Sequence, residues 1–204
     1  MDLTKDRAKL KELYMPEAGD FTLVDVPDLP FAMIDGQGPP EPGAIRQTIK
    51  RLFTAIDPIR REARARMGKD FIEAPVEMLY RADDMADLVS GNKEKWRWRV
   101  MITLPAWTDA ALFANAVSQV RESLGAMPAT LRMERFAEGR CAQIMQVGRP
   151  RDISAALARL YTQFLPRNGL KPAGAYHEIY LGDWSRTTPE RRRIILRQPV
   201  CSNA

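Results

Sequence analysis

The sequence has 204 residues, 45% of them hydrophobic and 28% charged, with a net charge of +5. That composition supplies one substantial core or two small fused ones and argues against a disordered chain. It has no apolar run of membrane-spanning length and no signal-peptide core in its charged first residues, so a cytoplasmic protein with no membrane partner is expected.

Cys141 and Cys201 lack CxxC spacing and His177 is the single histidine, so neither a metal site nor a cofactor is expected. Cys141 reads as a space-filling strand residue and Cys201 as part of a frayed tail. Basic residues cluster at 60–66 and at Arg191-Arg192-Arg193. The first cluster alternates with alanines on a predicted helix and reads as a solvated face. No helix-turn-helix, zinc-finger or RNA-binding signature accompanies it, so nucleic acid is not an expected partner.

In chain order, residues 5–13 form a short polar lead-in. Residues 21–26 form a strand, and 31–34 resume an apolar strand after Pro27 and Pro30. The Gly- and Pro-rich stretch 36–43 is a loop. Gly36-Gln37-Gly38 lies between a strand and a helix, but it lacks a third glycine and a following lysine, so it is not a nucleotide loop. Residues 43–67 form a helix with Ile45, Ile49, Leu52, Phe53 and Ile56 on one stripe, a bend at Pro58 and a stop at Gly68. A strand is predicted over 71–80 and a connection over 85–90. Residues 96–104 alternate as a strand with Trp96, Trp98, Val100 and Ile102 on one face. A helix is predicted over 109–124, capped by Thr108 or Asp109. Residues 130–136 and 140–147 read as a hairpin turning at Glu138-Gly139. Residues 153–165 form a helix, 176–181 a strand, 183–189 a loop and 192–197 the last strand.

This order gives an α+β protein of two strand–helix–strand–strand halves. The first spans about 20–106, the second about 129–200, and a linking helix spans about 108–125. Short echoes support the duplication: Glu77-Met78-Leu79-Tyr80 against Glu178-Ile179-Tyr180-Leu181, and Ile102-Thr103-Leu104-Pro105 against Leu196-Arg197-Gln198-Pro199. One helix on about three strands is a thin core. Antiparallel sheets from tandem βαββ units, paired about a pseudo-twofold axis with a central cleft, would bury it better.

An ordered set of segments resembles the GyrI-like small-molecule-binding domain in its free-standing form. It runs from Val26-Pro27 and Ile34-Asp35-Gly36-Gln37-Gly38 through Ala74-Pro75-Val76-Glu77, Trp96-Arg97-Trp98 and residues 136–144. It closes with His177-Glu178-Ile179-Tyr180-Leu181-Gly182-Asp183 and residues 195–200. The resemblance implies paired βαββ modules around a ligand cleft. Relatives bind amphipathic or cationic drugs, some as sensing domains of transcription regulators; one inhibits DNA gyrase, and a subset hydrolyses the cyclopropane ring of alkylating natural products. Departures fall near the implied pocket. The family often carries a histidine where Gln146 stands, and its usual Gly-Leu-Trp is Met78-Leu79-Tyr80 here.

Glu178 is the leading candidate. Ionised in a desolvated cleft, its carboxylate attracts a cation, and as a base it can take a proton from water. Glu77, its counterpart by the sequence echo, is a second candidate that could share acid and base roles. Tyr80, Trp96 and Trp98 are candidate stacking residues for a flat or cationic ligand, and Met33, Gln146, Tyr176 and Tyr180 are further lining candidates. His177 alternates away from Glu178 and reads as a packed or surface side chain. The expected function is binding of an aromatic, amphipathic or cationic small molecule for drug sequestration or resistance. The alternatives are a hydrolase opening strained cyclopropane rings with Glu178 activating water, and a protein-interaction modulator that contacts gyrase through its basic surface.

Overall fold

The computed structural model describes residues 6–84, 87, 91–184 and 186–203. In chain order the elements are α1 (Arg7–Tyr14), β1 (Thr22–Val26), β2 (Leu29–Gln37), α2 (Pro42–Met67), β3 (Val76–Arg81), β4 (Arg97–Thr103), α3 (Ala110–Gln119), α4 (Arg121–Leu124), β5 (Arg132–Phe136), β6 (Gly139–Val147), α5 (Pro150–Arg159), β7 (Leu170–Pro172), β8 (Tyr176–Leu181) and β9 (Arg193–Ser202). A π-helical turn, Leu160–Phe164, continues α5. The class is mixed α and β, as expected.

The chain divides into two compact units, one built on Leu29–Phe136 and the other on Arg7–Asp28 with Ala137–Ala204. In the first unit the antiparallel strands run in the order β3-β4-β2-β5. Alternation along β2 and β4 puts Ala32, Ile34, Val100 and Ile102 on one face and Met33 and Met101 on the other, all of them buried. Helix α2 opens with Pro42 in its first turn, where a missing N–H costs nothing, and Gly68 follows its last residue at φ 54°. It buries Leu52, Ala55, Ile56, Ile59 and Ala63. Of the expected stripe only Leu52 and Ile56 are buried, while Ile45, Ile49 and Phe53 are half-buried, so the buried stripe extends further toward the C-terminus with small alanines in it. The helix stays continuous through Pro58.

In the second unit the order is β1-β6-β9-β8, with β7 pairing the end of β9. Tyr161, in the π-helical turn, donates its hydroxyl to Gln198 Oε1 at 2.8 Å and so ties that turn to β9. Burial pushes the Tyr161 phenol up to about 12, and it remains a donor at neutral pH.

Several local expectations change. Residues 130–147 do not form a hairpin: β5 pairs with β2, while β6 pairs with β1 and β9. Gly139, at φ 69°, turns the chain there without joining the two strands into a ladder. The strand expected from residue 71 starts at Val76. Pro75 has no N–H to give a ladder, and Glu73 is drawn to α2 by Arg60 and Arg64, each at 2.7 Å. The last strand runs on to Ser202, so Cys201 sits exposed on β9 opposite Lys171, not in a frayed tail. The connection expected over 85–90 lies outside the described residues except at Asp87.

Candidate functional site

Side chains on a strand alternate between faces, so β8 carries two sets. Tyr176, Glu178 and Tyr180 share one face; His177, Ile179 and Leu181 share the other. On the first, Tyr176 donates its hydroxyl to Glu178 Oε1 at 3.0 Å, and the Tyr180 hydroxyl donates to Oε2. Each carboxylate oxygen therefore accepts a phenol from the same strand two residues away. The Tyr180 ring meets Trp184 edge-to-face at 4.7 Å, and Trp184 is anchored by its Nε1 donating to the Arg193 carbonyl at 3.2 Å. Gln146 lies in the same cross-strand row as Tyr180, with Ile194 between them. Glu178 and Tyr180 are half-buried, so the group combines partial desolvation with access. Sequence reasoning missed Trp184 because it treated 183–189 as a featureless loop; a tryptophan four residues beyond a tyrosine of the candidate strand was the available signal.

The opposite face of the same unit holds a buried ion chain. Glu138 bonds His177 Nδ1 at 2.9 Å through Oε1 and accepts from Arg197 Nη1 at 3.0 Å through Oε2. The His177, Glu138 and Arg197 side chains are 0%, 2% and 1% exposed. Arg197 Nε also donates to Gln143 Oε1 at 3.2 Å. Burial by itself would raise the Glu138 carboxyl, but the charges of His177 and Arg197 and their hydrogen bonds outweigh it and hold it at about 2. His177 is therefore a packed residue. Its partner Glu138 is far away in sequence and was not among the candidates.

In the first unit Glu77 and Met33 are 0% exposed. Their register joins them across Met101 in one row. Thr103 Oγ1 donates to Glu77 Oε1 at 2.9 Å. The other face carries the aromatic candidates. Tyr80, Trp98 and Gly36 are register partners, and Trp98 is 9% exposed. Its ring lies flat on Gly36, where a Cβ would stand 2.1 Å from Cζ2. Tyr80 meets Trp96 edge-to-face at 5.8 Å. Trp96 borders a hollow of about 560 Å³, a volume suited to a small molecule. Asp83, Asp87, Glu94, Lys95 and Arg97 form much of its wall, but Arg97 pairs Asp83 at 2.7 Å and Lys95 pairs Asp87 at 3.2 Å.

Among the described residues no group of His, Cys, Asp and Glu is arranged to hold a metal, and no helix is long and apolar enough to cross a membrane.

Two crystal structures from Listeria innocua are similar at 25% identity, each covering 96% of this chain and 98% of its own. One, an uncharacterized conserved protein, has a TM-score of 0.82; the other, a hydrolase, has 0.77. The EcmrR C-terminal domain shares the fold at 12% identity and a TM-score of 0.56, covering 90% of this chain and 98% of its own. Among curated proteins there was no match. The model of the GyrI-like small molecule binding domain matches residues 19–198, and the chain belongs to that family.

Proposed function

We propose that this domain binds an aromatic, charge-diffuse cation, with Glu178 as the charged contact and Tyr176, Tyr180 and Trp184 as its aromatic surround. One observation carries the reading: both oxygens of Glu178 already accept tyrosine hydroxyls. A carboxylate so occupied has an acceptor direction filled on each oxygen and aromatic rings beside it. It therefore suits a cation recognised by field and ring contact over one recognised by N–H donation. The biological role that fits is sequestration of, or resistance to, a xenobiotic.

Calorimetric titration with tetraphenylphosphonium tests this, with the neutral triphenylphosphine oxide as control. The cation should bind and the neutral compound should bind much more weakly. Glu178→Gln should weaken the cation by about tenfold, as expected for one half-buried charge contact. Equal affinity for the two compounds, or an unchanged affinity in Glu178→Gln, refutes the proposal.

The similarity to a Listeria innocua hydrolase supports a second reading. Here Glu178 takes a proton from water while the water oxygen bonds to a carbon of a strained cyclopropane. The ring C–C bond breaks toward a conjugated acceptor, a tyrosine hydroxyl supplies the proton that acceptor takes up, and the proton on Glu178 passes to that tyrosine across their hydrogen bond. Incubation with a cyclopropane-bearing alkylator, followed by mass spectrometry, distinguishes the two. A ring-opened product gaining one water, formed by wild type and lost in Glu178→Gln, establishes turnover; binding with no product rejects it.

A further inference from the structure

The buried ion chain behind β8 does not end within the sheet. Arg197 Nη2 donates to the Leu13 carbonyl at 2.6 Å, and Gln143 Nε2 donates to the Glu12 carbonyl at 2.7 Å. Both carbonyls belong to the last turn of α1, the end of a helix that lacks internal partners and carries the negative pole of its dipole. A buried guanidinium is the complementary cap. α1 lies before the stretch that the family model matches.

The helix is poorly equipped to persist alone. It has 8 residues, RAKLKELY, and its buried residues are Leu13 and Tyr14. Isolated helices of that length are marginal in water. Its docking uses these two side chains, two polar caps and the Arg197 guanidinium lying over the Tyr14 ring at 5.9 Å. From those caps a continuous path runs through Arg197 and Glu138 to His177, the residue before Glu178. Arg197 and His177 are also register partners across β9 and β8.

We propose that α1 is a latch: docked, it completes the Arg197–Glu138–His177 chain and holds β8 so that the Tyr176–Glu178–Tyr180 group is preformed for ligand, and undocked, it releases that strand and lowers ligand affinity. The consequence for ligand rests on the binding reading above; the coupling of α1 to β8 does not. Undocking removes an acceptor from a buried arginine, and the guanidinium and its partners must rearrange to replace it. Since Glu138 and His177 are joined to that guanidinium, the rearrangement reaches β8. Linkage makes the effect reciprocal: ligand at Glu178 strengthens the docking of α1.

Hydrogen exchange on the full chain, without ligand, tests the coupling first. Leu13→Ser disrupts docking and leaves the side chains of His177, Glu138, Arg197 and Gln143 unchanged. Its α1 amides should lose protection, and those of 176–181 should exchange at least about fivefold faster, the lower end of ordinary coupling. Leu13→Met should restore both. Val24→Ala trims a buried residue of β1 and serves as the control for general loosening; it should leave 176–181 within about twofold of wild type. Tetraphenylphosphonium affinity should then fall about fivefold in Leu13→Ser and be kept in Leu13→Met. The proposal is overturned if α1 loses protection while 176–181 does not change, or if Val24→Ala accelerates 176–181 equally. If wild type does not bind the cation, the binding reading fails, and the exchange data still decide the latch.

Discussion

Replacing Glu138 by Gln tests the electrostatics of the second unit. The substitution keeps shape and removes charge, leaving Arg197 and His177 facing a neutral amide at 3.0 and 2.9 Å. The carboxyl is held at about 2 against an ordinary 4.5. At about 1.4 kcal/mol per pKa unit, that depression corresponds to about 3 kcal/mol of stability. Cutting one partner from a buried pair gives a similar figure, about 3 to 5 kcal/mol. For a domain stable by about 5 to 15 kcal/mol this is a large fraction. A group with a depressed folded pKa contributes fully above its unfolded value and loses that contribution as pH falls through the folded one. The difference between wild type and Glu138→Gln should therefore be greatest above pH 4.5 and shrink by about 1.4 kcal/mol per unit down to about pH 2. Urea unfolding of both proteins at pH 7, 4.5, 3.5 and 2.5 measures it. A difference below about 1 kcal/mol at pH 7, or one constant down to pH 2.5, would refute the reasoning.

Three further outcomes are expected. Gly36→Ala drives a Cβ to 2.1 Å from the Trp98 ring, so the ring must leave the strand; a loss of about 1 to 3 kcal/mol in urea should accompany a shift in tryptophan emission. Thr103→Val removes the hydroxyl that donates to buried Glu77; it should cost about 1 to 3 kcal/mol in urea, whereas Thr103→Ser should cost less than half of that. Of the two cysteines, Cys201 is exposed and Cys141 buried, and burial followed by the charge of Glu138 pushes the Cys141 thiol up. A thiol reagent at pH 8 should therefore titrate one group in the native protein and two in urea.

Much of the local structure was legible because it is set by neighbours along the chain. Period-two alternation put Trp98, Val100 and Ile102 on one face of β4, and it separated His177 from Glu178 on β8. Three- and four-residue spacing marked α2 as a helix and picked Leu52 and Ile56 of its buried stripe, but not Ala55, Ile59 and Ala63. The ordered segments also identified the family. The sequence echo did not show how differently the two carboxylates sit: Glu77 is 0% exposed and accepts from Thr103, whereas Glu178 is half-buried between two tyrosines.

Strand partnership and charge pairing were decided only by the tertiary structure. A turn at Glu138-Gly139 is consistent with a hairpin, but β6 takes β1 and β9 as partners, because ladder hydrogen bonds carry no address and the burial of whole faces chooses between registers. The same holds for the ion chain. His177, Glu138, Arg197 and the carbonyl of Leu13 are scattered along the sequence, and folding brings them within hydrogen-bonding distance. Each of these groups would be costly to bury alone, so packing had to bring all of them together.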